Sequence, residues 1–360
     1  MMLSKYKTIT TKPPEFVHFQ LTYSCNLRCK MCGQWGKKGI FKKHISMLKN
    51  SEIGFEVWKG LIDEVSKWKC IINIWGGEQL LRKDVFKIIK YVKFKKLKCY
   101  MVTNGVLIGK YYRELIDSGI DKIYMSIDGP HVIHDNIRGV KGAYRKIFNG
   151  IKKLNDLKKK KKTKSPYLEI KFTISKYNYK IIKNMLKIAN NFNANRINFD
   201  PFMFTTSKIA SEYSKEYFRR FNEYPTSQYG WIVDKTGVDG KILECDISDI
   251  ISKEKKNFVV AAGYGKVSTD KWYKDAEKTF GFNQCFVPWS LVNVMPNGNV
   301  NFCVDFPDYI IGNVTQNSLF DIWNNKRAQV FRKKYLESGP LPICNRCCWL
   351  YNDFVKNIDF

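Results

Sequence analysis

Residues 21–35 read LTYSCNLRCKMCGQW and place Cys25, Cys29 and Cys32 in a C-x3-C-x2-C spacing. The residues just before them, 16–22 (FVHFQLT), are apolar and β-prone, which predicts a strand that ends where the cysteines begin. Three thiols on one short loop are one short of a closed four-sulfur site. Structural zinc takes four ligands, with C-x2-C spacings repeated in pairs. A cubane [4Fe–4S] cluster held by only three thiolates keeps one iron open to an outside ligand.

Downstream, helical and strand patterns alternate. Residues 51–68 have helical periodicity with Ser51 as a plausible N-cap, and CIINIW (70–75) reads as a buried strand. The same pairing recurs as helix 82–94 and strand 99–104, helix 109–119 and strand 122–128, helix 143–159 and strand 167–175, then helix 179–192 and strand 196–203. Six β/α units with short connections predict a parallel sheet with helical crossovers and chemistry at the carboxyl ends of its strands. The cysteine loop leaves the first strand at that end. Past residue 204 the rhythm stops, with helical stretches at 205–225 and within 246–265. Residues 291–303 (LVNVMPNGNVNFC) read as a β-hairpin turning at Asn297-Gly298, and 318–337 as an amphipathic helix.

The 360 residues suffice for two domains, and 44% hydrophobic with 15% aromatic content suits a folded chain. No apolar run is long enough to span a bilayer, and the amino-terminal residues lack the apolar core of a secretory signal, so a cytoplasmic location without membrane contact is expected. Eleven cysteines, an odd number, point in that compartment to metal ligands or catalytic groups before disulfides. Cys70 and Cys99, in strand-like runs, read as ordinary buried thiols. The net charge of +29 invites a nucleic-acid partner, but lysines decorate helix faces throughout and no RNA-binding signature accompanies them. Such charge also suits docking of an acidic electron-transfer protein.

Other motifs fall at predicted strand ends. WGGEQLL (75–81) follows the second strand, VTNG (102–105) ends the third, SIDGP (126–130) ends the fourth, and HDNIRG (134–139) comes next. Singly, each is ordinary turn chemistry. Together with the cysteine triad they resemble the radical S-adenosylmethionine (SAM) superfamily, over roughly residues 16–203. The resemblance implies an α/β fold, a partial (β/α)6 barrel, with Cys25, Cys29 and Cys32 holding a [4Fe–4S] cluster whose open iron is chelated by SAM. The cluster's electron then breaks the sulfonium bond, and a 5′-deoxyadenosyl radical abstracts a substrate hydrogen. Gly76 and Gly77 would let the backbone approach SAM, Glu78 would accept from its ammonium group, and Asn104 would frame the pocket. Ser126 and Asp128 would bind ribose hydroxyls, and Arg138 would pair with the SAM carboxylate. Met31 stands where the family usually has an aromatic residue, and Gln79 where it has proline.

Cys285-x12-Gly298-x4-Cys303 and Cys344-x2-Cys347 resemble the family's carboxy-terminal SPASM/twitch domain. Cys285, Cys303, Cys344 and Cys347 would then hold one auxiliary [4Fe–4S] cluster, the shorter twitch form, with zinc as the alternative and Cys348 as a spare thiol. The implied organisation is an extension 1–15, a core 16–204, a helical connection 205–284 and the auxiliary domain 285–360. The implied activity is oxidation or modification of a peptide or a small, sugar-like alcohol, fed by a flavodoxin- or ferredoxin-type electron donor. Only about 15 residues precede the first strand, little room for a leader-recognition domain. An RNA-modifying enzyme is the other enzymatic reading, and an inert metal-binding scaffold has no use for Glu78 and Arg138 beside the triad. No general base is assignable. Tyr23, Gln34, Trp35, Asp200 and Phe202 lie near strand ends, where they face substrate or serve packing.

Overall fold

Strand formation follows the alternation of the sequence. The computed structural model describes residues 8–42, 45–254, 259–261 and 267–351. In it β1 (Phe16–Gln20), β2 (Ile71–Trp75), β3 (Lys98–Thr103), β4 (Lys122–Ser126), β5 (Tyr167–Ile174) and β6 (Arg196–Pro201) pair in chain order, all parallel. Helices cross over between them, as the six β/α units predict. One face of every strand is apolar: Phe19, Ile72, Met101, Met125, Phe172 and Phe199 are buried against those helices. The helix Phe55–Val65 answers with Trp58, Leu61, Ile62 and Val65. The other face is largely polar, because His18, Asn73, Tyr100, Tyr124, Lys171 and Asp200 alternate with the apolar set, although Phe16, Ile71 and Leu291 form a small apolar cluster on it. Parallel sheets covered on both sides are usually apolar on both. Here Asn73, Tyr100, Tyr124, Lys171 and Asp200 stay partly exposed, so the concave side of the sheet is an open lumen.

The sheet extends beyond the six strands. After the helices Ser207–Phe221 and Gly240–Lys253, a short β7 (Val259–Ala261) pairs parallel with β6, so the β/α alternation runs one unit further than the pattern suggests. At the other edge β8 (Leu291–Val294) and β9 (Asn299–Asn301) form the hairpin expected around Asn297-Gly298, and β10 (Gly312–Asn313) pairs with β9. β8 also pairs parallel with β1. The complete order is β10-β9-β8-β1-β2-β3-β4-β5-β6-β7 in one ten-stranded sheet that does not close. The single amphipathic helix expected over 318–337 is two helices, Leu319–Trp323 and Lys326–Ser338. Asn325 breaks it by turning its side chain to cap Ala328 N–H at 2.9 Å. No helix among the described residues is long and apolar enough to cross a membrane.

Polar contacts tie the carboxy-terminal part to the barrel. Glu64, on the helix Phe55–Val65, accepts from the N–H groups of Leu319 (3.0 Å) and Phe320 (2.5 Å) at the start of a distant helix. A carboxylate there meets unsatisfied donors and the positive end of the helix dipole. Glu64→Ala should therefore lower unfolding stability by about 1–2 kcal/mol. A urea titration checks this, and an unchanged midpoint would mean that the tether carries nothing.

Candidate functional site

The cysteine loop has no secondary structure of its own, and its backbone is braced on two sides. On one side Gly77 N–H donates to Thr22 O (3.0 Å) and Glu78 N–H to Ser24 O (2.7 Å). On the other, Arg28 N–H donates to Arg138 O (3.2 Å) and Lys30 N–H to Ile137 O (2.9 Å), at the end of the helix His131–Arg138. Both braces need glycine. A Cβ on Gly77 would sit 2.0 Å from Ser24 O, and one on Gly139, at φ +73°, 2.8 Å from Arg28 O. The glycines at 76–77 thus let one turn of backbone press against the cysteine loop itself.

Each sulfur of the triad has one donor. Leu27 N–H points to Cys25 Sγ (3.5 Å), Trp35 N–H to Cys32 Sγ (3.2 Å), and Arg138 Nη1 lies 3.7 Å from Cys29 Sγ. Burial pushes the Cys25 thiol up to about 12 and Cys32 to about 11, and the neighbouring thiols add to the rise. Burial also raises Cys29, against the guanidinium of Arg138. An all-sulfur donor set, clustered but costly to ionise alone, fits a cationic iron body that takes the thiolate charge.

The two carboxylates of the motifs face inward to the protein. Glu78 is fully buried and accepts from Thr103 Oγ1 (2.8 Å), Asn104 N–H (2.8 Å) and Leu80 N–H (3.2 Å). Burial lifts it to about 7. It welds the end of β2 to the end of β3 through these three donors. Asp128 is also fully buried; its Oδ2 accepts from Arg138 Nε at 2.5 Å and its Oδ1 from Thr173 N–H at 3.4 Å. In this arrangement the carboxylate anchors Arg138. Arg138 is held between Asp128 and Cys29, which puts its guanidinium beside the triad's second sulfur. Asn104 joins the loop through Asn26 Oδ1 (2.8 Å), and Ser126 lies half-buried on the lumen side of β4. Gly76, at φ +140°, makes the turn into Gly77.

Of the residues near strand ends, Tyr23 and Trp35 pack with Phe41 and Met295 beneath the loop. Gln34 Nε2 reaches Val304 O at 3.5 Å, beside Cys303. Asp200 and Phe202 stay partly exposed; Asp200 accepts from Asn198 Nδ2 at 3.1 Å and lies 3.7 Å from Lys171 Nζ.

Cys285, Cys303, Cys344 and Cys347 come together around a cavity of about 70 Å³, otherwise walled mainly by aromatic and aliphatic side chains. Tyr335 Oη accepts from Cys285 N–H at 2.6 Å. Arg346, buried between Cys344 and Cys347, donates to the carbonyls of Trp272 (2.6 Å) and Lys278 (2.8 Å) and gathers the preceding loop under the site. Four thiols in an apolar chamber match the donor chemistry of a second cluster. Among the described residues, no group of three or more His, Cys, Asp or Glu side chains is arranged to hold a single metal ion. Trp349 lines this chamber and also meets the His18 ring, 6.0 Å between centroids, so it stands between the chamber and the lumen. Sequence motifs did not single out His18, Tyr124, Lys171 or Trp349. The signal available for the first three was polar residues at every second position of strands in a parallel sheet.

Comparisons with known proteins agree with this geometry. The family model of the radical SAM superfamily matches residues 19–169, and that of an iron–sulfur cluster-binding domain, SPASM, matches 285–348. The former domain binds a [4Fe–4S] cluster and SAM, and the latter binds auxiliary clusters. An AdoMet-dependent heme synthase of Methanosarcina barkeri is 32% identical over 187 residues, 51% of this chain and 49% of that protein. A probable GTP 3′,8-cyclase of Methanococcus maripaludis is 38% identical over 109 residues, 30% of this chain and 34% of that one. The chain thus spans half or less of the length of these curated relatives. Among solved structures, Streptococcus suis SuiB bound to its precursor peptide SuiA superposes with a TM-score of 0.63 at 16% identity, covering 90% of this chain and 67% of SuiB. Native anSMEcpe with bound AdoMet gives 0.54 at 16% identity, covering 88% and 82%. At such identities the likeness is one of fold.

The brace on the cysteine loop makes a sharp prediction. Gly77→Ala drives a methyl into backbone that must move, at a cost of about 1–3 kcal/mol. The variant should show a lower thermal midpoint and retain less iron after anaerobic reconstitution. Gly54→Ala, with nothing within 4 Å of the new methyl, is the control and should match the parent in both.

Proposed function

Because the chain belongs to the radical SAM superfamily, we propose that it is an oxidoreductase that modifies a peptide or small-molecule substrate, with Cys25, Cys29 and Cys32 holding the SAM-binding cluster. The observation that carries this reading is the triad itself: three thiols on one doubly braced loop, each with a single donor and Arg138 alongside. Cys285, Cys303, Cys344 and Cys347 are assigned to the auxiliary cluster, in a barrel, connector and auxiliary division at residues 204 and 284. Four thiols around one apolar cavity, within the segment that matches an iron–sulfur cluster-binding family, support iron–sulfur over the zinc alternative at this second site. When bound, the first cluster supplies one electron for reductive cleavage of SAM to a 5′-deoxyadenosyl radical, and the second supplies an electron acceptor or a substrate-binding surface.

The chain's own residues prepare that chemistry. Arg138, neutralised by Asp128, holds positive charge beside Cys29 without leaving a net buried charge. Glu78 and Asn104 lock the turns that flank the loop, so the triad is set before any ligand arrives. Gly76 and Ser126 border the side of the loop that faces the lumen. The lumen receives the substrate, with Tyr124, Lys171 and Asp200 on its wall and Trp349 separating it from the auxiliary chamber. A flavodoxin- or ferredoxin-type protein in the cytoplasm would deliver the electron, and the excess of lysine suits such an acidic donor.

Two measurements test the reading. The reconstituted protein should carry about eight irons per chain, from two cubanes, and replacing Cys25, Cys29 and Cys32 by Ala should remove about half of them. About four irons with one zinc in the parent would refute the auxiliary assignment. With Cys344 and Cys347 changed to Ala, reduced protein should still form 5′-deoxyadenosine from SAM. Loss of that product from a folded variant that keeps its first cluster would mean the two sites do not divide the work this way.

A further inference from the structure

The lumen faces of β1, β2, β8 and β9 carry a row of neutral hydrogen-bonding side chains that the chemistry above does not use. Strand register sets them side by side: His18 pairs with Asn73 on β2 and with Asn293 on β8, and Asn293 pairs with Asn301 on β9. The row crosses the seam where the auxiliary hairpin joins the barrel. Its members bond partly to one another. His18 Nε2 and Asn73 Nδ2 lie 3.4 Å apart, Asn293 Nδ2 donates to Asn301 Oδ1 at 3.1 Å, and Asn293 Oδ1 accepts from Trp75 Nε1 at 2.9 Å.

Capacity is left over. His18 Nδ1, Asn73 Oδ1, Asn301 Nδ2 and, two residues along β1 from His18, Gln20 Nε2 are buried with no hydrogen-bond partner. His18, Gln20 and Asn301 are 6%, 1% and 1% exposed. A buried polar atom without a partner destabilises the folded state. Four in one neighbourhood burden the fold unless a ligand meets them. The charged side of the lumen is different, because its groups answer each other. Glu169 lies 3.6 Å from Lys122 and 3.3 Å from Lys171, which in turn reaches Asp200. On the neutral side, burial lowers His18 to about 3, so its ring carries no charge at ordinary pH. The row therefore offers donors and acceptors without charge, and the partly exposed Asn73 and Trp75 open it to the lumen.

We propose that the row Asn301–Asn293–His18–Asn73, with Gln20 beside it, recognises the substrate and selects a primary carboxamide, an uncharged group that presents donors and an acceptor together, as an Asn or Gln side chain does. A carboxylate brings acceptors only and a charge with no counter-charge on this side. A site built from paired donors and acceptors rejects ligands that leave them unmatched. The inference rests on the radical SAM reading only in calling the ligand a substrate.

The test is isothermal titration of the reconstituted protein, with SAM, against three probes: acetyl-Gly-Asn-Gly-methylamide, acetyl-Gly-Asp-Gly-methylamide and methyl glucoside. The Asn peptide should bind at least about tenfold more tightly than the other two. The double variant His18→Phe/Asn73→Leu removes one mutual contact and two orphans. It should lose the preference while its thermal midpoint without probe stays level or rises. Gln20→Leu, which removes a single orphan, is the gentler second variant and should weaken the Asn peptide in the same direction. Tighter binding of the Asp peptide or glucoside, no binding of any probe, or a preference that survives in both variants overturns the proposal. A double variant with a lowered midpoint and an intact preference makes the row structural and overturns it too. 5′-Deoxyadenosine formation by the parent is measured alongside. Its absence counts against the radical reading, whereas its presence without an amide preference counts against this inference alone.

Discussion

The functional end of the molecule depends on backbone meeting backbone. A loop that must hold three sulfurs in fixed relation cannot do so by side-chain packing alone, since it has no ladder of its own to satisfy its N–H and C=O groups. Here the turn at Gly77-Glu78 takes the carbonyls of Thr22 and Ser24, and the end of the helix His131–Arg138 accepts from Arg28 and Lys30. The same braces bring in the side chains that matter. Glu78 ties the next strand end to the loop, and Arg138 arrives beside Cys29 because its own carbonyl is a bracing group. Position and electrostatics are therefore one construction.

Buried charge is used here to fix geometry more than to add stability. Arg138 and Asp128 neutralise each other, and Glu78 is satisfied by three donors, so neither acid is left to titrate freely against solvent. A buried pair of this kind gains little over an apolar replacement, yet leaving one member alone is severely unfavourable. Arg346 does the corresponding task at the second thiol chamber with backbone carbonyls in place of a carboxylate.

Much of this was legible in the sequence. The alternation of helix and strand patterns gave the six parallel strands, and Asn297-Gly298 gave the hairpin. The triad spacing pointed to an open cluster, and the motifs at strand ends fell where the loop's braces lie. What sequence could not show was direction. The resemblance marks Glu78 and Asp128 as SAM contacts, but their protein partners, Asn104 and Arg138, are 26 and 10 residues away and only the fold brings them together. The polar lumen is written as period-two alternation in β1, β2, β5 and β6, but which face of a strand lines a lumen is set by the curvature of the whole sheet, which no single strand encodes. The pairing of β8 with β1 joins residues far apart in the chain, for which no local pattern exists.

That pairing makes the two thiol sites parts of one sheet. β1 feeds the cysteine loop, and β8 begins a few residues after Cys285; their parallel ladder runs from Phe16 beside Leu291 to Phe19 beside Val294. Were residues 285–351 absent, β1 would become an edge strand, with unpaired N–H and C=O groups ready to recruit another chain. The carboxy-terminal part is thus also the cover that keeps the barrel's first strand from aggregating. Shortening or exchanging it would change the solubility and register of the strand that presents the triad before it changed any electron transfer.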